Sequence, residues 1–84
     1  MVHPSEASEF EWDEGNESEL AGHSVTLDEV EQVFDNGPEW IPNKRNRAGD
    51  WKMVGYTNGG RSLTIIVRET GYGYHLRAIT GWDS

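Results

Sequence analysis

The chain has no cysteine in its 84 residues, and only three prolines and two methionines. Without cysteine there are no disulfides, no thiolate metal ligands and no thiol nucleophile. A small secreted domain usually carries disulfide staples, so their absence points to the cytoplasm. Nothing approaches the roughly 18–20 apolar residues of a membrane-spanning helix, and no membrane association is expected. Residues 1–10 lack the basic stretch followed by an apolar one that marks a signal peptide. Lysine and arginine are also scarce, seven against fifteen acids, and none of the seven lies in the first half. What the chain does have is aromatic rings: four Trp, three Tyr and two Phe, enough for a folded core and too many for a fully disordered chain.

The charge is divided along the sequence. Residues 1–42 hold twelve acids and no Lys or Arg, a charge of −12; residues 43–84 hold seven bases and three acids, +4; the sum is the net −8. A uniformly acidic protein repels nucleic acid, but a divided one can meet phosphates with one half and a basic partner with the other. An acidic, solvated surface with no partner is the plain alternative.

Length allows one domain. Residues 1–8 read as a disordered arm and residues 9–84 as a single α+β domain. Phe10-Glu11-Trp12 alternates like a short strand. Asp13 then caps a weak helix in which Leu20 is the one large apolar residue before Gly22. The next helix is strongly marked: Thr26 and Glu29 form a capping box, Val25 and Val30 a hydrophobic staple, and Leu27, Val30, Val33 and Phe34 one apolar stripe. Asn36-Gly37-Pro38 stops it, with Asn or Gly taking the left-handed position. Residues 39–42 fit a short edge strand, and 43–49 a basic loop. Strands are expected over 51–57, 61–68 and 74–80, joined by Asn58-Gly59-Gly60 and Gly71-Tyr72-Gly73. The expected fold is an antiparallel β-sheet meander with two N-terminal helices packed on one face.

Few residues are suited to chemistry. Three histidines scattered at 3, 23 and 75 make a poor metal site. No phosphate-binding glycine loop and no nucleophile elbow is present. Phosphoryl transfer on RNA remains open without a cofactor, because the ribose 2′-hydroxyl is the nucleophile. The protein then supplies a base, an acid and cations for the phosphorane. His23, Glu29, Arg61, Arg68, His75 and Arg77 are the candidates. Each also has an ordinary structural role: Glu29 closes the capping box, His23 can cap a helix end, Arg61 follows a turn, and Arg68 and Arg77 can pair with acids across strands. Lys44, Arg45 and Arg47 gather three bases between Trp40 and Trp51, the composition of a surface for single-stranded RNA.

Phe10-Glu11-Trp12-Asp13-Glu14, then Gly22-His23-Ser24-Val25-Thr26-Leu27-Asp28-Glu29-Val30, then the strand beginning Gly60-Arg61 and the final Arg77-Ala78-Ile79-Thr80-Gly81-Trp82, occur in the order of the BrnT family of toxin–antitoxin toxins. The chain resembles that family over roughly residues 10–82. It departs from the pattern at Trp82, where the family has a base, and at Gly22, where it has a lysine. The resemblance implies a RelE-like ribonuclease fold and RNA cleavage that arrests translation and growth. It also implies a cognate antitoxin, usually a DNA-binding repressor, in a hetero-oligomer. Carried onto this chain residue by residue, it makes His23, Glu29 and Arg77 catalytic; Lys44, Arg45, Arg47, Arg61 and Arg68 are the bases that the residue reading expects to contact RNA. The alternative is a non-catalytic module on the same fold, whose acidic half binds a basic partner or mimics nucleic acid.

Overall fold

The computed structural model describes residues 9–12, 14–43, 51–70 and 75–84. The expected N-terminal arm, the cap at Asp13, the basic loop bearing Lys44, Arg45 and Arg47, and the 71–73 turn lie outside the described residues. The elements are β1 (Glu9–Glu11), α1 (Glu14–Ala21), α2 (Leu27–Asp35), β2 (Glu39–Pro42), β3 (Trp51–Tyr56), β4 (Ser62–Glu69) and β5 (His75–Asp83). They form an α+β domain with one five-stranded sheet in the order β1-β5-β4-β3-β2.

From β2 to β5 the sheet is the expected antiparallel meander. The expectation of a purely antiparallel sheet needs one correction. β1 pairs with β5 in parallel, Glu9 beside His75, Phe10 beside Leu76 and Glu11 beside Arg77. A parallel pair requires a long crossover, and here nearly the whole chain lies between the two strands.

α2 forms as its sequence requires. The Glu29 amide donates to Thr26 Oγ1 at 3.2 Å, and the Thr26 amide donates to Glu29 Oε1 at 3.1 Å. Val30 and Val33 are buried. Of the two candidates for the left-handed stop, Gly37 takes it, at φ +72°, while Asn36 stays at φ −83°. Asn36 instead fastens the helix end to the β3–β4 turn. Its Nδ2 donates to the Tyr56 carbonyl at 2.9 Å and to Asn58 Oδ1 at 3.0 Å. Thr26→Ala removes the cap and should cost about 1 kcal/mol, read as a lower urea midpoint with an unchanged denaturant slope.

α1 packs on β5 and α2 on β3. Both helices feed one core, α1 through Leu20 and α2 through Val30 and Val33, over Met53, Ile65 and Val67 of the sheet. An aromatic row closes the core's edge. Phe34 meets Phe10 and Trp40 edge-on, with ring centroids 5.4 and 6.1 Å apart.

In β5, Leu76 and Ala78 are buried two residues apart, as strand alternation requires, but Thr80 does not continue that series. Ile66 pairs with Thr80 while the next residue, Val67, pairs with Ala78, so Ile79 is an extra residue. Such a bulge shifts the alternation by one, and Gly81 takes the place over the core. A Cβ added there would lie 2.5 Å from Ile65 Cδ1 and 3.3 Å from Leu20 Cδ2. Gly81→Ala should therefore destabilise by about 1–3 kcal/mol through overpacking. A urea titration at or above the wild-type midpoint would contradict this.

Because successive side chains on a strand alternate between faces, the other face of the sheet is also defined. Glu39 and Ile41 on β2, Lys52, Val54 and Tyr56 on β3, Thr64, Ile66 and Arg68 on β4, and Trp82 on β5 lie on it, with Thr64 and Ile66 buried at its centre. Among the described residues no helix covers that face.

Candidate functional site

The candidate residues separate into two groups. The first lies where the N-terminus of α2 meets the start of β4 and the end of β5. Arg61 Nη1 donates to both carboxylate oxygens of Glu29 at 3.0 Å and to the Ser24 carbonyl at 2.7 Å, and its Nε donates to Asp83 Oδ1 at 2.7 Å. The hydrogen bonds it donates to Asp83 and then to Glu29 hold the guanidinium above its ordinary pKa. Ser24 is the one described non-glycine residue with positive φ, at 59°, and Arg61 grips its carbonyl. Arg61 thus clasps three segments of the chain, and its guanidinium is committed to protein acceptors. Glu29 serves the capping box and Arg61 together. His23 stands nearby on the α1–α2 turn, its Nε2 3.3 Å from Glu19 Oε2, which also accepts from Thr80 Oγ1 at 3.0 Å.

The second group lies towards the opposite end of the sheet, on the helix-free face. Arg68 and Arg77 are direct cross-strand partners, and Glu11 stands beside Arg77 on β1. Residues paired this way have Cβ atoms about 4.5–5.5 Å apart. His75, two residues before Arg77, has Nδ1 2.9 Å from Glu11 Oε2. Arg68 is exposed, while Arg77 and His75 are partly buried.

The structure does not bring the expected catalytic set together. Glu29 connects through Arg61 to Asp83, whereas Arg77 lies six residues earlier on β5. At about 3.3 Å per residue that is roughly 20 Å, and Arg77 faces the other side of the sheet. His23 and Glu29 belong to the first group; Arg77, with Arg68, belongs to the second. The expected acid–base pair is therefore separated from the arginine meant to hold the phosphate. The group that does surround Arg77 includes Glu11, which sequence reading did not select. The alternation in Phe10-Glu11-Trp12 places Glu11 opposite Phe10 across the strand, but its neighbours depend on a pairing made more than sixty residues away.

A third feature is an open cleft of about 330 Å³ at the edge of the sheet, lined by Asn36, Gly37, Glu39, Val54, Gly55, Tyr56 and Ser62.

Charge is layered as well. Residues 14–36 carry seven acids and no Lys or Arg. The described helix-free face carries Lys52, Arg68 and Arg77 against Glu11 and Glu39. The helix layer is thus the acidic side, with Arg61 bound to it through Glu29, while the opposite face mixes both signs. No described helix is long and apolar enough to cross a membrane. Comparison with family models, with curated proteins and with solved structures returns no match for the chain.

Proposed function

We propose that this chain is a BrnT-like ribonuclease toxin, cleaving RNA without a metal at the Arg68–Arg77 group on the helix-free face. The observation that carries this is the direct pairing of two arginines beside the His75–Glu11 contact. Two arginines facing each other across a strand pair can hold one phosphate between them with charge-assisted hydrogen bonds. In this reading His75, oriented by Glu11, takes the proton from the ribose 2′-hydroxyl. The 2′-oxygen attacks the adjacent phosphorus, the P–O5′ bond breaks, and the 5′-oxygen leaves taking a proton from solvent water, while the proton held by His75 returns to solvent. The products are a 2′,3′-cyclic phosphate and a 5′-hydroxyl. Arg77 and Arg68 carry the phosphorane charge. His23 and Glu29, which the resemblance would make catalytic, hold the α1–α2 turn. The order of elements, β1, two helices, then an antiparallel run of strands, is compatible with a RelE-like fold. A basic, DNA-binding antitoxin finds its complement in the acidic helix layer.

Induced expression in a bacterial host tests the proposal. The wild type should arrest growth, and Arg77→Ala, equally soluble, should not. Normal growth with soluble wild-type protein would favour the second reading, a non-catalytic protein-binding module. The run of seven acids over residues 14–36, with no base among them, is the feature that supports that reading.

A further inference from the structure

Three large apolar side chains are exposed among the described residues: Tyr56 at 62%, Ile41 at 38% and Trp82 at 38%. All three lie on the helix-free face. Their chain neighbours Gly55, Trp40 and Gly81 turn the other way, against Val33, Phe34 and Leu20 respectively. Tyr56 pairs with Ser62, and Trp82 with Thr64, so the two rings flank β4. Two strand spacings and a two-residue offset put their Cα atoms about 12 Å apart. Hydroxyls lie between them, with Thr64 Oγ1 and Ser84 Oγ 2.8 Å apart. The open cleft beside Tyr56 has room for a nucleobase. Further along β4, on the same face, stands Arg68 opposite Arg77.

Exposed rings are costly on a free surface but are what a single strand needs, because every base has a face to stack. Charge favours the same occupant at the Arg68–Arg77 end: among the described residues this face carries Lys52, Arg68 and Arg77 against Glu11 and Glu39, whereas the helix layer behind it carries seven acids. We propose that Tyr56 and Trp82 form a two-point stacking platform for single-stranded RNA, the strand running along the helix-free face from the Arg68–Arg77 pair to the cleft beside Tyr56. The platform rests on the ribonuclease reading above and assigns it base-stacking residues distant from the scissile phosphate.

The test is fluorescence anisotropy with a labelled, mixed-sequence 2′-O-methyl RNA decamer at several salt concentrations. The methyl group blocks the nucleophile, so binding is measured without cleavage. Tyr56→Ala and Trp82→Ala should each weaken binding about tenfold with an unchanged salt slope. Trp82→Phe should keep most of the affinity, and Arg68→Ala should weaken binding while reducing the salt slope by about one. Quenching of tryptophan emission by the decamer, present in the wild type and reduced in Trp82→Phe, supplies a readout that does not depend on the alanine variants folding. If the alanine variants bind like the wild type while Arg68→Ala does not, the platform is wrong and the ribonuclease reading stands. If the wild type binds no RNA, both fall. If the wild type sediments as a dimer and Trp82→Ala as a monomer, a second copy covers the face and the platform is overturned.

Discussion

Arg77→Ala should lower RNA cleavage by about 10²–10³-fold, the usual cost of losing one group that stabilises developing charge. His75→Ala should lower it by about 10²–10⁴-fold, as expected for a general base. His23→Ala should cleave close to the wild-type rate, because His23 sits on the α1–α2 turn beside Glu19, on the helix side of the sheet, whereas Arg77 faces the other side. Glu29→Gln should act mainly on stability. It weakens an ion pair with Arg61 and half of a capping box, and Arg61 retains Asp83 and the Ser24 carbonyl. Single-turnover rates, with circular dichroism melts of each variant, separate the two groups. A large loss of rate in His23→Ala or in fully folded Glu29→Gln, with Arg77→Ala unaffected, would move the active site to the Arg61 clasp.

Leu20→Ala should be the most damaging single substitution in the helices. Leu20 is fully buried and is the one buried residue of α1. Its side chain lies next to Gly81, and its carbonyl accepts from the His23 and Val25 amides at 2.9 Å. Removing a buried leucine side chain costs about 2–5 kcal/mol. A domain of this length has roughly 4–13 kcal/mol in total, so the loss is a large fraction of its stability. The first amides to lose hydrogen-exchange protection should be those of α1, since no second apolar residue holds the helix to β5. A midpoint shift no larger than that of Thr26→Ala would show that α1 is held by something other than Leu20.

These predictions differ in how far the sequence alone could reach them. α2 was readable nearly in full, because a capping box, a staple and a glycine stop are local codes. The strands were readable to within one to three residues from runs such as Leu63-Thr64-Ile65-Ile66-Val67. Pairing was not. The parallel contact of β1 with β5 depends on residues at opposite ends of the chain. The bulge at Ile79 has no local signature, yet it decides that Gly81 and not Thr80 covers the core. One residue of phase turns every following side chain to the other face. That is why Trp82 stands exposed beyond the core-facing Gly81. The site was affected in the same way. Arg77, Arg68 and His75 were identifiable as candidates by residue type, but their grouping with Glu11, and the separation of His23 and Glu29 from them, follow from register alone.

The most direct measurement is to incubate purified protein with single-stranded RNA in excess EDTA and map the product ends. Fragments carrying 2′,3′-cyclic phosphate and 5′-hydroxyl termini are expected from the wild type and should be nearly absent with Arg77→Ala. Intact RNA after incubation with folded wild-type protein, or cleavage that chelator abolishes, or equal cleavage by folded Arg77→Ala, would contradict a metal-independent site built on Arg77.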